Sequence, residues 1–343
     1  MSALYSYVNA RIRAMKSYLL KKTEIRSLLE ATSIEDALSF LRGTHYERYL
    51  ADIEVPSLLL IEEALVKSFT EEYEKLIRSL HRQPREFLSE MGKKFEIDAL
   101  KTVVRIKAAD IKEKYPVIPF GRVDHALIES LMEIEMLEEM EGILKDLEYA
   151  PIIRDTVPKF REKGDVFPIE TALDSYVYRK IVASMDKLSN QDKKIAKQFI
   201  GLEIDGKNLI NVLRCRELEE EEISGYLIPY RYRLSDDLLN ACFRAENIDI
   251  ISSELSTTKY AEMVSKAVSK FKETGSLHPF ELVLKESLLE LSKNVFSGYP
   301  FHIGTVLGYL NLKENEIRNI LTILIMKEAK LPASEVEKLI LLT

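Results

Sequence analysis

One residue pattern occurs three times in this chain of 343 residues, and it narrows the possible folds more than any other feature. Ile34-Glu35, Ala37 and Phe40-Leu41 lead to Tyr46. Leu137-Glu138, Met140 and Ile143-Leu144 lead to Tyr149, and Ile248-Asp249, Ile251 and Glu254-Leu255 lead to Tyr260. Each time an apolar residue stands twelve positions before the tyrosine, an acid eleven before, an apolar residue nine before and a leucine five before. A second block follows each tyrosine: Ile61-Glu62-x-x-Leu65, Ile169-Glu170-x-x-Leu173 and Phe280-Glu281-x-x-Leu284. Its glutamates are 108 and 111 residues apart. That period exceeds the roughly 20–50 residues of a solenoid repeat and matches the size of a small domain. The expected organisation is three copies, residues 1–114, 115–224 and 225–343. Three similar units can surround an axis, which suggests a ring or socket more than an enzyme.

Composition describes a soluble globular protein. Hydrophobic residues make up 46% and charged residues 31%, the balance of a globular protein. A net charge of −7 argues against a nucleic-acid partner. No apolar run approaches the ~18 residues of a membrane-spanning helix, and Arg11, Arg13 and Lys16 interrupt any secretory h-region. Membrane association is therefore expected only through a partner. Cys215 and Cys242 have neither metal nor redox spacing and read as buried thiols in a reducing compartment.

Helix dominates the pattern. Between residues 124 and 147, Leu127, Leu131, Ile134, Leu137, Met140 and Leu144 form one stripe at steps of three and four, predicting one helix with an acidic outer face. Ser33 with Asp36 three residues later predicts a capped helix start. Residues 60–76, 168–188 and 279–296 read as long helices, and with 12 glycines and scarce alternation no sheet is expected. Tyr115-Pro-Val-Ile-Pro119-Phe120 and Tyr226-Leu-Ile-Pro229-Tyr230 open the second and third copies, before caps at Asp124 and Ser235. The acidic run 217–222 reads as a solvated linker or helix end, and residues 151–168, with Gly164 among prolines, as a mobile loop.

Each copy closes on a helix with acids at its head and cations at its end, which suits the helix dipole. Glu96, Asp98 and Arg105 mark the first, Asp205 and Arg214 the second, and Lys313, Glu314, Glu316 and Arg318 the third. The third has Thr322 in the expected register of the two arginines. Catalytic constellations are missing: the sequence contains no phosphate-binding glycine loop, and His45, His81, His125, His278 and His302 are scattered, with His45 and His125 read as partly exposed helix residues. No catalytic residue, cofactor or metal is expected.

The opening Tyr5-x-Tyr7-Val8-Asn9-Ala10-Arg11-Ile12-Arg13-Ala14-Met15-Lys16-x-x-Leu19-Leu20 resembles the start of the C subunit of archaeal A-type and bacterial V-type ATP synthases. The stretch Tyr299-Pro300-Phe301-x-Ile303-Gly304-x-Val306-Leu307-x-Tyr309-Leu310-x-x-Lys313-Glu314-x-Glu316-x-Arg318-Asn319 resembles the most recognisable part of that protein and is similar to the matching part of the d subunit of vacuolar ATPases. The resemblance implies an all-α fold, with three homologous helical domains in a pseudo-threefold funnel or socket. It implies a non-catalytic rotor component at the cytoplasmic face of the cell membrane, coupling the D and F subunits of the central stalk to the proteolipid ring. An unrelated helical scaffold is the alternative. The expected partner-binding residues are Glu314, Glu316, Arg318 and Asn319, the densest polar cluster of that stretch; a helical pair between Glu314 and Arg318 is worth only ~0.2–0.5 kcal/mol. Without a phosphate loop, the isolated chain should neither hydrolyse ATP nor bind it tightly. Calorimetric titration checks this, and micromolar binding near one-to-one would contradict it.

Overall fold

A computed structural model of the chain describes residues 2–111, 117–218 and 223–342. Among these the elements are all helical, and the β pairing recorded is an isolated bridge between Phe120 and Val123. Tyr115, Pro116 and the expected boundary at residues 114–115 lie outside the described residues, as do residues 219–222 of the acidic run.

The chain divides into two compact units. One joins Met1–Arg85 to Leu289–Thr343, so both chain ends belong to it. Its centre is the helix Ile303–Glu328, which packs against helices Ser2–Ser17, Lys22–Glu30, Ile34–Arg42 and Leu58–Ser79. That helix is apolar or buried on most of its circumference over its first half, as a central helix must be. The other unit is Glu86–Leu288. Within it, Asn190–Glu217 packs against Phe167–Met185 and Asp236–Arg244. A core of Leu209, Val212, Leu239, Ile251, Leu255 and Val264 forms there and encloses both cysteines as free thiols.

The long helices of the second block form as expected: Leu58–Ser79, Phe167–Met185 and His278–Asn294. The caps also hold. The side chains of Ser33, Asp124 and Ser235 accept from the backbone N–H of Asp36, Leu127 and Leu238.

Two expectations fail. Residues 124–147 are not one helix: His125–Glu133 ends at Ile134, which is extended with ψ 148°, and a short helical turn, Leu137–Glu139, restarts the chain. The break is held by polar groups on both sides of it. Lys107 Nζ donates to the carbonyls of Met132 and Ile134, while the Glu139 carboxylate accepts from the N–H groups of Glu135 and Met136. The apolar stripe continues on both sides, so periodicity alone does not reveal the break.

Residues 151–168 are not a loop either. Ala150–Lys163 is a helix, and Phe167–Met185 begins almost at once. Pro151 sits in the first turn, where its missing N–H has no helical partner to lose. Pro158 is tolerated inside the helix, where Ile153, Thr156 and Val157 face the core. Gly164, at φ 71°, ends it in the left-handed region, as Gly275 at φ 67° ends the matching helix Ala261–Thr274.

The leucines five positions before the tyrosines, Leu41, Leu144 and Leu255, are each fully buried. Replacing any of them with alanine should cost ~2–5 kcal/mol, as for other core leucines. Denaturant unfolding of the three variants measures this, and losses near zero would place the stripe on the surface.

Candidate functional site

The closing helix of each copy carries one buried acid that receives the hydroxyl of a repeated tyrosine. On Arg82–Ala108, Glu96 Oε2 accepts from Tyr149 Oη at 2.6 Å. On Asn190–Glu217, Asp205 Oδ2 accepts from Tyr260 Oη at 2.8 Å. On Ile303–Glu328, Glu316 Oε1 accepts from Tyr46 Oη at 2.7 Å. Each acid thus holds the tyrosine of the following copy, and the last acid holds the tyrosine of the first. The three acids are 6%, 1% and 4% exposed, and their tyrosines are as well hidden.

Each acid also takes backbone N–H groups from the segment that opens the next copy. Glu96 Oε1 accepts from Arg122 N at 3.0 Å. Asp205 accepts from Tyr232, Arg233 and Leu234 N at 3.1, 2.7 and 3.2 Å. Glu316 Oε2 accepts from Leu20 N. Gly121 shows how tight this contact is: its φ is 55°, and a Cβ there would lie 2.1 Å from Glu96 Oε1. A side chain at that position would be strained in its backbone and would displace the acid.

Three turns further on, at the eleventh residue after the acid, each closing helix presents a cation. Lys107 Nζ donates to the Ile134 carbonyl at 2.7 Å, Arg216 Nη2 to Ala245 at 2.5 Å, and Lys327 Nζ to Leu29 at 2.7 Å and also to Ala31. Ile134, Ala245 and Ala31 are the C-caps of the first short helix that each cation meets, so the carbonyls left without helical partners gain a positive donor. Two of the helices add an asparagine. Asn208 exchanges two hydrogen bonds with the backbone of Ile228, and Asn319 does the same with Leu341.

These contacts pick one of the two acids named at the head of the first helix and correct the expected register of the third. The counterpart of Asp205 in the first copy is Glu96; Asp98 lies on the exposed side of its helix, with 63% of its side chain accessible. In the third copy the counterpart is Glu316, three residues later than Lys313. Ile325, not Thr322, therefore occupies the position of Arg105 and Arg214. Glu96 and Asp98 stand two residues apart on one helix, and only the tertiary fold decides which turns inward.

Of the expected partner-binding residues, Glu316 and Asn319 are buried and bonded inside the chain, Glu314 is exposed, and Arg318 is half-buried and donates to Asn315 Oδ1. Burial lowers the Arg318 pKa, which the Glu314 charge partly restores. Around Glu316 lies a polar cluster that spacing does not foretell. Lys313, itself 0% exposed, lies 3.2 Å from Glu316 Oε1, 2.8 Å from Tyr46 Oη and 2.7 Å from His45 Nε2. His45 stands in a turn instead of a helix, and burial followed by the Lys313 and Arg48 charges pushes its pKa down to about 3, so it stays neutral. Burial likewise raises the Glu316 carboxyl, against the pull of Lys313. Lys93 stands in the same place relative to Glu96 and pairs with Glu148 at 2.6 Å.

The repeated glutamates of the second block have three different surroundings. Arg105 Nε meets Glu170 Oε1 at 2.5 Å and Arg214 Nη1 meets Oε2 at 3.3 Å, a two-sided clamp on a carboxylate that is 7% exposed. Glu281 is exposed, with His278 3.4 Å away. Glu62 is half-buried without an ion-pair partner among the described residues, and burial, with the Glu63 charge, pushes its carboxyl up to about 7.

The recurring acid–tyrosine geometry extends over nearly the whole chain, and so does a match to known proteins. The sequence profile of the ATP synthase (C/AC39) subunit family matches residues 8–339. The chain belongs to this family. Curated relatives include the C subunit of the A-type ATP synthase of Methanothermobacter thermautotrophicus, 29% identical over 92% of this chain and 82% of the relative. That of Methanocaldococcus jannaschii is 29% identical over 99% and 86%, and that of Pyrococcus horikoshii 27% identical over 98% and 90%. A member of this family is one component of an ATP synthase and works beside the others.

Two outcomes follow from these surroundings. Tyr→Phe at a lock removes one donor from a buried acid, at a cost of ~1–3 kcal/mol. Tyr149→Phe leaves Glu96 with one N–H donor and should cost more than Tyr260→Phe, which leaves Asp205 with three; denaturant unfolding ranks them. Glu62 binds its proton more tightly folded than unfolded. Its contribution to stability is therefore present at low pH and lost as pH rises from about 4.5 through about 7. In Glu62→Gln the pH–stability curve should be flatter across that window.

Proposed function

We propose that this chain is the non-catalytic rotor component of an A/V-type ATP synthase. It couples the central stalk, built of the D and F subunits, to the proteolipid ring during ion-driven synthesis or ATP-driven ion transport. In this reading three homologous helical domains, 1–114, 115–224 and 225–343, stand about a common axis as a socket for the stalk foot. The observation that carries the proposal is the third lock. Tyr46 and Glu316 join the first copy to the last long helix, placing both chain ends in one compact unit. A torque adapter needs its ends tied, because an untied terminal helix peels away under load, and close-packed interiors transmit strain with little compression. The family match supplies the setting.

Association with the cytoplasmic face of the cell membrane would be peripheral, through the ring; among the described residues no helix is long and apolar enough to cross a membrane. Partner binding is assigned to Glu314, Glu316, Arg318 and Asn319 in two roles. Glu314 and Arg318 face outward far enough to meet a stalk or ring group, while Glu316 and Asn319 hold the helix that presents them. Charge reversal at Glu316 does not test coupling. It would put two ammonium groups together in the core beside Tyr46, and breaking such a buried pair costs ~3–5 kcal/mol.

The function is tested on the assembled complex. Removing this chain should leave ATP hydrolysis running without ion pumping, and adding it back should restore pumping; pumping at full ratio without it would refute the coupling role. The contact assignment is tested by Glu314→Lys with Arg318→Glu. A folded chain with a lowered pumping-to-hydrolysis ratio is expected, and an unchanged ratio with unchanged assembly rejects these two residues as contacts.

A further inference from the structure

The backbone of Leu341 lies on the third closing helix. Asn319 Nδ2 donates to the Leu341 carbonyl at 2.8 Å, and Leu341 N donates back to Asn319 Oδ1 at 3.1 Å. Asn315 Nδ2, one turn earlier on the helix, donates to the same carbonyl at 2.8 Å. Val336 and Ile340, 2% and 6% exposed, anchor the segment that leads there. In the second copy Asn208 stands three residues after its acid, as Asn319 stands after Glu316, and exchanges the same pair of bonds with Ile228. Ile228 belongs to the stretch of chain that opens the third copy. On the third closing helix, residues 331–342 take the place of that stretch.

Asn315 carries the contact further. A carbonyl can only accept, so the Leu341 oxygen draws the nitrogen end of the Asn315 amide toward itself and leaves Oδ1 for another donor. Arg318 Nη2 fills that role at 2.5 Å. Buried Asn315 therefore links the Leu341 backbone to a half-buried guanidinium. The arrangement is peculiar to the third copy. The place of Asn315, one residue before the acid, is held by Phe95 and Ile204 in the other two. The place of Arg318, two residues after the acid, is held in the second copy by Lys207, whose charge is met by Asp174 at 3.1 Å. The exposed Glu314 favours the charged form of Arg318, but the bond that fixes its direction comes from an amide. A carboxylate would orient the guanidinium and cancel its charge, whereas an amide orients it and leaves the charge and the other N–H groups for a further acceptor.

We propose that residues 331–342 act as a positioning strap for Arg318: the Leu341 backbone sets the amide of Asn315, and Asn315 holds the guanidinium in the direction in which another component of the complex meets it. The proposal rests on the reading that Arg318 is a contact residue, and it adds what controls that contact. The two asparagines divide the work. Asn319 fastens the strap through two bonds, and Asn315 passes its position on through one bond at each end of its amide. A displaced strap frees the Asn315 amide to turn, and Arg318 loses its fixed acceptor. The entropy of ordering that long side chain then falls on the moment of binding.

The test uses the chain in the purified complex, held through another of its components, and reads how fast the chain is released in a salt titration. Arg318→Ala should speed release about tenfold. Asn315→Ala should speed it about threefold, through lost preorganisation alone. A chain cut after Ile340 should match Asn315→Ala. In the Arg318→Ala background neither change should add to the effect, because residues that act through one another are not additive. Asn208→Ala, at the matching bonds of the second copy, should lower the melting temperature of the isolated chain and leave release unchanged. Melting curves show which variants fold, and if the shortened chain does not, Asn315→Ala decides alone. An effect of Asn315→Ala equally large with and without Arg318 would overturn the proposal, since Asn315 would then serve only the packing of its helix. So would a release rate that Asn315→Ala leaves unchanged. If either occurs while Arg318→Ala still speeds release, the strap is wrong and the contact stands. If Arg318→Ala itself changes nothing, the contact reading fails and the strap falls with it.

Discussion

A buried carboxylate needs donors for the lone pairs it can no longer show to water, and a buried tyrosine needs an acceptor for its one proton. In this protein each solves the other's problem, three times. The arrangement is demanding, because a missing partner leaves an unsatisfied polar group that costs ~1–3 kcal/mol, more when charged. It is also specific. An apolar contact can slide by a turn, but an acid that must reach one hydroxyl and at least one backbone N–H fixes its helix in rotation and in register. The rest of each copy is organised about that point. The column leucine is buried one turn before the tyrosine, the opening segment lies on the acid, and the cation of the closing helix reaches the next short helix.

The cations show how charge is used at helix ends. Lys107, Arg216 and Lys327 each donate to C-terminal carbonyls of a helix from another part of the chain, not to an acid. A helix end inside a protein leaves carbonyl groups without partners, and a positive donor answers both their hydrogen-bonding need and the local negative potential. The buried acid and the basic end are therefore polar attachment points common to all three closing helices, beside others that only one or two of them have. The apolar residues between them go to the core.

The copies differ where their surroundings differ. Asp205 takes three backbone N–H groups because the incoming segment of chain wraps over it, whereas Glu316 takes one and adds the fully buried Lys313. The same divergence marks the second-block glutamates, clamped in one copy, hydrated in another and half-enclosed in the first.

The sequence alone carried the three-copy pattern, the all-helical composition, the serine and aspartate caps and the buried leucine column. These depend on local spacing: an apolar residue every three or four positions and a capping oxygen before a helix are written in neighbouring residues. It also carried the family resemblance, through the runs from Tyr5 to Leu20 and from Tyr299 to Asn319. Residues 124–147 read as one helix because an apolar stripe is blind to a break held by Lys107 from another copy. Residues 151–168 read as a loop because prolines look like breakers until one is seen in the first turn of a helix. Only the tertiary structure decided that Glu96 rather than Asp98 accepts from the tyrosine, and that Glu316 is the acceptor inside the chain in the third copy, with Lys313 donating to the same hydroxyl. The reason is physical. Which of several acids on a helix is buried depends on groups 53 to 270 residues away in the chain, and no local pattern records so distant a partner.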